Sequence, residues 1–169
     1  YSTTVTITER MPPVIINEGE LDPTDCGIDN GEIHISASGT SLEYSIDNGI
    51  NFTSSPDFTG LAAGNYDIQV RLSGTSNCLD MSTVTLTAPS PPAIVNVSPT
   101  STSNCDLDDG MISINATGGA LEYSIDNGAN WFSNSNFTML AAGVYDVTVR
   151  KVASPSCIDN STTVVGSPD

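Results

Sequence analysis

Basic residues are scarce. Arg10, Arg71, Arg150 and Lys151 stand alone against 20 acidic residues in a chain of 169, for a formal net charge of −16. A phosphate backbone repels such a surface, which excludes nucleic acid as a partner and disfavours anionic membranes. Histidine is nearly absent, with His34 the single one. There is no C-x-x-C pair and no glycine-rich phosphate loop, so no catalytic constellation can be assembled and the chain reads as non-enzymatic. No apolar run approaches the ~20 residues that cross a bilayer as a helix. No window keeps a helical apolar period long enough for a helix.

What the chain has is a duplication. Leu42-Glu43-Tyr44-Ser45-Ile46-Asp47-Asn48-Gly49 recurs letter for letter as Leu121 to Gly128. Tyr44 and Tyr123 are 79 positions apart, as are Cys26 and Cys105, Leu61 and Leu140, and Cys78 and Cys157. A constant offset without gaps is a tandem repeat. The expected organisation is residues 1–11 as the closing strand of a preceding copy, 12–90 as the first repeat and 91–169 as the second. Thr4 to Thr8 align at the same offset with Thr83 to Thr87, which makes the chain read as an excerpt from a longer array. Pro12-Pro13 and Pro91-Pro92 mark the junctions, because a proline pair cannot continue a central strand.

Ser, Thr, Asn and β-branched residues favour strands and turns. Each copy reads as about seven short strands. Glu32 to Ala37 alternate strictly, with Ile33, Ile35 and Ala37 on one face, the mark of a half-buried strand. In the duplicated stretch Leu42, Tyr44 and Ile46 are expected inward, Glu43, Ser45 and Asp47 outward. Asn48-Gly49 supplies the turn to a returning strand that carries Phe52, or Trp131 and Phe132 in the second copy. Leu61-Ala-Ala-Gly64-x-Tyr66 and its repeat at Leu140 match the tyrosine corner of immunoglobulin-like sandwiches. The fold class is all-β: tandem Ig-like sandwiches with period 79.

The pattern Cys…Asp/Asn-Gly-x-Ile-x-Ile…Tyr-Ser-Ile-Asp-Asn-Gly…Phe-Thr-x-Leu-Ala-Ala-Gly-x-Tyr-Asp-Val-x-Val-Arg…Cys resembles the SprB-type repeat. That Ig-like, PKD-like repeat recurs in large cell-surface and gliding-motility adhesins of Bacteroidota. The resemblance covers both full copies. It implies a secreted, surface-displayed adhesin stalk or filament whose partners are neighbouring repeats, further copies by self-association, or surface polysaccharide. It implies no catalysis and carries no catalytic residues.

Four cysteines, two per copy, point to disulfides and an oxidising, extracellular compartment. Cys26–Cys78 with Cys105–Cys157 is the favoured pairing, since it closes each copy on itself and stabilises a small core by about 4 kcal/mol. Cys78–Cys105, between copies, is the alternative. Asp106, Asp108 and Asp109 crowd one loop, with Asp25 and Asp29 at the matching place in the first copy. Clustered carboxylates suit calcium, yet Asp and Asn are also ordinary turn residues. Trp131, with Asn130 beside it, is the candidate for stacking on a sugar, against a plain role capping the core. Arg71 and Arg150 are placed to pair across the sheet with Glu43 and Glu122. The alternatives to a stalk are thus a carbohydrate- or calcium-binding module, or the spacer of a secreted polysaccharide-degrading enzyme.

Overall fold

Strict alternation of apolar and polar residues makes the strand Gly31–Ser38 one-sided, and the molecule is built on that strand and its copy, Gly110–Thr117. In the computed structural model, which describes residues 11–168, Ile33 and Ile35 are each 1% exposed while Glu32 and His34 face out. The first copy contains β1 (Val14–Leu21), β2 (Gly31–Ser38), β3 (Leu42–Ser45), β4 (Asp57–Leu61), β5 (Gly64–Leu72) and β6 (Leu79–Leu86). The second repeats them as β7 (Ala93–Thr100), β8 (Gly110–Thr117), β9 (Leu121–Ser124), β10 (Asn136–Leu140), β11 (Gly143–Lys151) and β12 (Ile158–Val165). No helix is present among the described residues.

The strands form antiparallel three-stranded sheets in the orders β1-β2-β4 and β3-β5-β6, then β10-β8-β7 and β12-β11-β9. These are the A-B-E and C-F-G sheets of an immunoglobulin-like sandwich. The expected seventh strand does not form. Between β3 and β4 the returning chain makes only a bridge, Tyr44 to Thr53, repeated as Tyr123 to Phe132. Its register is that of a two-residue hairpin, and Asn48 and Gly49 both take positive φ (59° and 80°). Ladder growth stops there because Asp47 captures the backbone and side chain of Asn51.

Each sandwich closes on its own core. In the first, Ile33 and Ile35 of β2 meet Ile68 and Val70 of β5, Val84 and Leu86 of β6, and Tyr44. In the second, Ile112 and Ile114 meet Val147, Val149 and Val165. At the first residue of β2 and of β8 a side chain is excluded. A Cβ on Gly31 would lie 2.8 Å from Leu86 Cδ1 and 2.9 Å from the Leu61 carbonyl, and Gly110 is pressed in the same way. The tyrosine corner forms in both copies: Tyr66 donates to the Ala62 carbonyl at 2.8 Å, Tyr145 to that of Ala141 at 2.9 Å.

Compact units do not coincide with sequence copies. Among the described residues, one unit takes 11–23 and then Ile28–Thr87; the other takes Thr24–Gly27 together with 88–168. The expected closing strand at Thr4 to Thr8 lies outside the described residues.

At one bulge the two copies place different residues at positive φ. The β2–β4 and β8–β10 pairings each shift register at a bulge, occupied by Gly60 (φ 72°) in the first copy and Met139 (φ 60°) in the second. Glycine suits that conformation, whereas an L side chain there costs about 1–2 kcal/mol. Met139 is 82% exposed and gains little packing in return. Met139→Gly should therefore raise the unfolding free energy of the second unit by about 0.5–1 kcal/mol, after the added chain entropy of glycine. Urea titration of the two proteins measures it.

Candidate functional site

The duplicated stretch builds a closed turn rather than a pocket. Ser45 and Ser124, expected to face solvent, are fully buried. The Ser45 hydroxyl donates to Asp47 Oδ1 at 2.7 Å and accepts the Gly49 amide at 3.0 Å. Asp47 also accepts the Asn51 amide at 2.9 Å and its Nδ2 at 2.6 Å. Ser124, Asp126, Gly128 and Asn130 repeat every one of these bonds. The Asn51 amide and Ser45 hydroxyl hold the Asp47 carboxyl down from its ordinary 3.8 to about 2. The Ser124 hydroxyl and Asn130 do the same for Asp126, also to about 2. Alternation fails at Ser45 because the strand ends there and its side chain is drawn under the turn.

Arg71 and Arg150 pair across the sheet as expected. Their Nη2 atoms lie 2.7 Å from Glu43 Oε2 and Glu122 Oε2. Sequence reasoning missed the other half of the arrangement: Arg71 lies over the Phe52 ring at 3.7 Å, Arg150 over Trp131 at 4.1 Å. A guanidinium held by a carboxylate and stacked on a ring is a compact surface clasp. Trp131 is half-buried and has one ring face covered by Arg150, while Asn130 is bonded to Asp126. The two candidate ligand residues thus have structural partners already.

The acidic loops do not converge. Asp109 accepts Ser103 at the amide (2.8 Å) and at the hydroxyl. Asp106 and Asp108 are exposed, and so is Asp29. Among the described residues the one group of three ligand atoms within 4.8 Å is Asp25 with Cys26 and Cys157. Two of those are joined to each other, which leaves no thiolate for a metal.

That joining corrects the expected cysteine pairing. Cys26 is bonded to Cys157, 131 positions away with Cα atoms 4.9 Å apart, while Cys78 and Cys105 are free thiols. The reason is visible in the second copy. Cys157 immediately precedes β12, whereas the Cys105 loop sits beyond its far end, where the Thr102 amide bonds the Gly166 carbonyl at 3.0 Å. An eight-residue strand is roughly 23 Å long, and a disulfide tolerates Cα separations of only about 4.4–6.8 Å. The two cysteines of one copy cannot meet. Polar contacts surround the bond that does form. Asp25, itself buried, accepts the Ser156 amide at 3.0 Å, and Ser154 donates to the Thr24 carbonyl at 3.0 Å.

Sequence reasoning also missed an open groove of about 520 Å³ on the outer face of the first copy. It is bordered by Glu20, Glu32, Phe58 and the cross-strand pair His34–Asp57, whose Nδ1 and Oδ1 are hydrogen-bonded. Ser113 and Asn136 stand at the matching places of the second copy, so this polar pair belongs to one copy alone.

No protein-family model matches the chain, and no curated protein matches it. Among solved structures it is similar to Sidekick-1 immunoglobulin domains 1-5, at 13% identity and a TM-score of 0.43, over 95% of this chain and 40% of that one. A structure of Sidekick-1 immunoglobulin domains 1-4 is 12% identical with a TM-score of 0.41, over 97% of this chain and 51% of that one. The chain spans about half of these neighbours or less, and likeness at this level bears on neither function nor partners.

Two outcomes follow from the geometry. The folded carboxyls of Asp47 and Asp126 titrate below their ordinary value. Their contribution to stability is therefore complete above about pH 4 and is lost as the pH falls through about 2. Calorimetry between about pH 5 and 2 should show a melting temperature that declines less steeply in the Asp47→Asn/Asp126→Asn variant than in the parent. Cys26→Ser should lower the stability of the unit containing Cys157 by roughly 2–5 kcal/mol, whereas Cys105→Ser should stay within about 0.5 kcal/mol. Chemical denaturation of the two variants measures the difference.

Proposed function

We propose that this chain is a stretch of a tandem-repeat, non-catalytic surface protein, serving as the stalk or filament of a secreted adhesin. The observation that carries the reading is the Cys26–Cys157 bond, which joins a residue of the first sequence copy to one of the second. A bond of this kind forms and persists in an oxidising compartment, and it ties successive copies covalently without passing through the chain between them. The net charge of −16 keeps such an array soluble and self-repelling along its sides. What the two copies hold in common is scaffolding: the Ser-Asp-Asn turn, the tyrosine corner and the Arg–Glu–aromatic clasp. What differs, such as His34–Asp57, is confined to one copy, as expected where ligand chemistry is secondary to the repeat.

Two copies of such a fold occur in many kinds of protein; surface display and longer repetition distinguish a stalk. An antibody raised against this chain should label intact, unpermeabilised source cells, and the reading frame around these residues should contain further copies at a spacing of about 79. Labelling only after permeabilisation, with no further copies, would overturn the stalk reading.

A further inference from the structure

The molecule contains two cysteine environments, each present twice: once bridged and once bare. Around the bridge, Asp25 is 7% exposed, Ser154 6% and Cys157 0%. Their counterparts 79 positions away, Asn104, Thr75 and Cys78, are less covered, and Cys105 is exposed where Cys26 is half-buried. The bare sites nevertheless keep the geometry of the bridged ones. Cys26 Sγ lies 3.1 Å from the Pro89 carbonyl oxygen, and the Cys105 thiol donates to the Pro168 carbonyl at 3.4 Å. Asp25 Oδ1 accepts the Cys26 amide at 2.8 Å, and Asn104 Oδ1 accepts the Cys105 amide at 2.7 Å. Cys157 and Cys78 each offer their carbonyl to the end of the preceding strand, to Lys151 at 3.2 Å and to Leu72 at 3.3 Å. Cys105 therefore has the form of Cys26 without its partner, and Cys78 the form of Cys157 without its partner.

We propose that Cys105 and Cys78 are the two halves of the same staple, each reserved for a further copy of this repeat arranged head to tail. Every cysteine of an array then bonds the one 131 positions away in the adjacent copy, the separation seen for Cys26 and Cys157. The result is a ladder of bonds in which each copy holds both neighbours. The proposal rests on the tandem-array reading above and adds to it the chemistry and polarity of the joint. In the bond-forming step the two thiols lose two protons and two electrons to a small disulfide such as oxidised glutathione. By exchange through a mixed disulfide, one protein S–S bond forms and two small thiols are released. The Asn104 oxygen, which accepts the Cys105 amide, has a second lone pair for a backbone amide of the incoming copy, as Asp25 receives both Cys26 and Ser156.

The test uses the 169-residue chain at high protein concentration with oxidised glutathione, followed by non-reducing electrophoresis and peptide mass mapping. The parent chain should give a ladder of covalent multimers that collapses on reduction. Cys78→Ser and Cys105→Ser should each stay monomeric alone. Mixed in equal amounts they should give a single dimer, whose linked peptides join Cys105 of one chain to Cys78 of the other. Symmetric Cys105–Cys105 or Cys78–Cys78 dimers, an intrachain Cys78–Cys105 bond, or thiols that end only as glutathione adducts would each overturn the proposal. If the staple fails while further copies surround these residues, the array stands without the ladder. If the staple forms but no further copies exist, the array reading fails and the head-to-tail joint stands.

Discussion

An eight-residue strand is several times longer than the reach of a disulfide, and the covalent structure of this protein follows from that mismatch. Each copy puts one cysteine in the loop before its second strand and the other at the start of its last strand. In an Ig-like sandwich those two places lie at opposite ends. A bond within the copy is impossible, and a bond between copies is what the geometry permits. The polar contacts of Thr24 and Asp25 with Ser154 and Ser156 then form around the bond.

The cores explain why such a bond matters. A sandwich of about 80 residues buries only roughly 60% of its unfolded surface, and here each core rests on about six well-buried aliphatic side chains. The chain compensates with local devices whose bonds are short and repeated: the tyrosine corner, the Asn-Gly turn closed by an aspartate, and an arginine held between a glutamate and an aromatic ring. None of them forms a cavity or sets a nucleophile beside a base. They stiffen the frame, and the frame is what the two copies share.

Much of the fold was legible because it depends on near neighbours. Alternation in Glu32 to Ala37 gave the buried face, the Leu-x-x-Gly-x-Tyr spacing gave the corner, and the offset of 79 gave the repeat. The Arg71–Glu43 pair could be read from facing strands. What escaped depends on distance or on competition. The cysteine pairing needs the length of the strand between two loops, which spacing in sequence does not express. Ser45 is buried because the turn overrides the alternation that precedes it. The seventh strand is lost because Asn51 is bonded to Asp47 instead of extending a ladder. Met139 occupies a bulge that its copy fills with glycine, and a methionine, unlike Asn-Gly, carries no sign of positive φ.

The bond between copies is the centre of this account, and non-reducing proteolysis with mass mapping of the purified chain examines it directly. The account predicts a linked peptide containing Cys26 and Cys157, with Cys78 and Cys105 open to alkylation. Linked peptides joining Cys26 to Cys78 and Cys105 to Cys157 would contradict it.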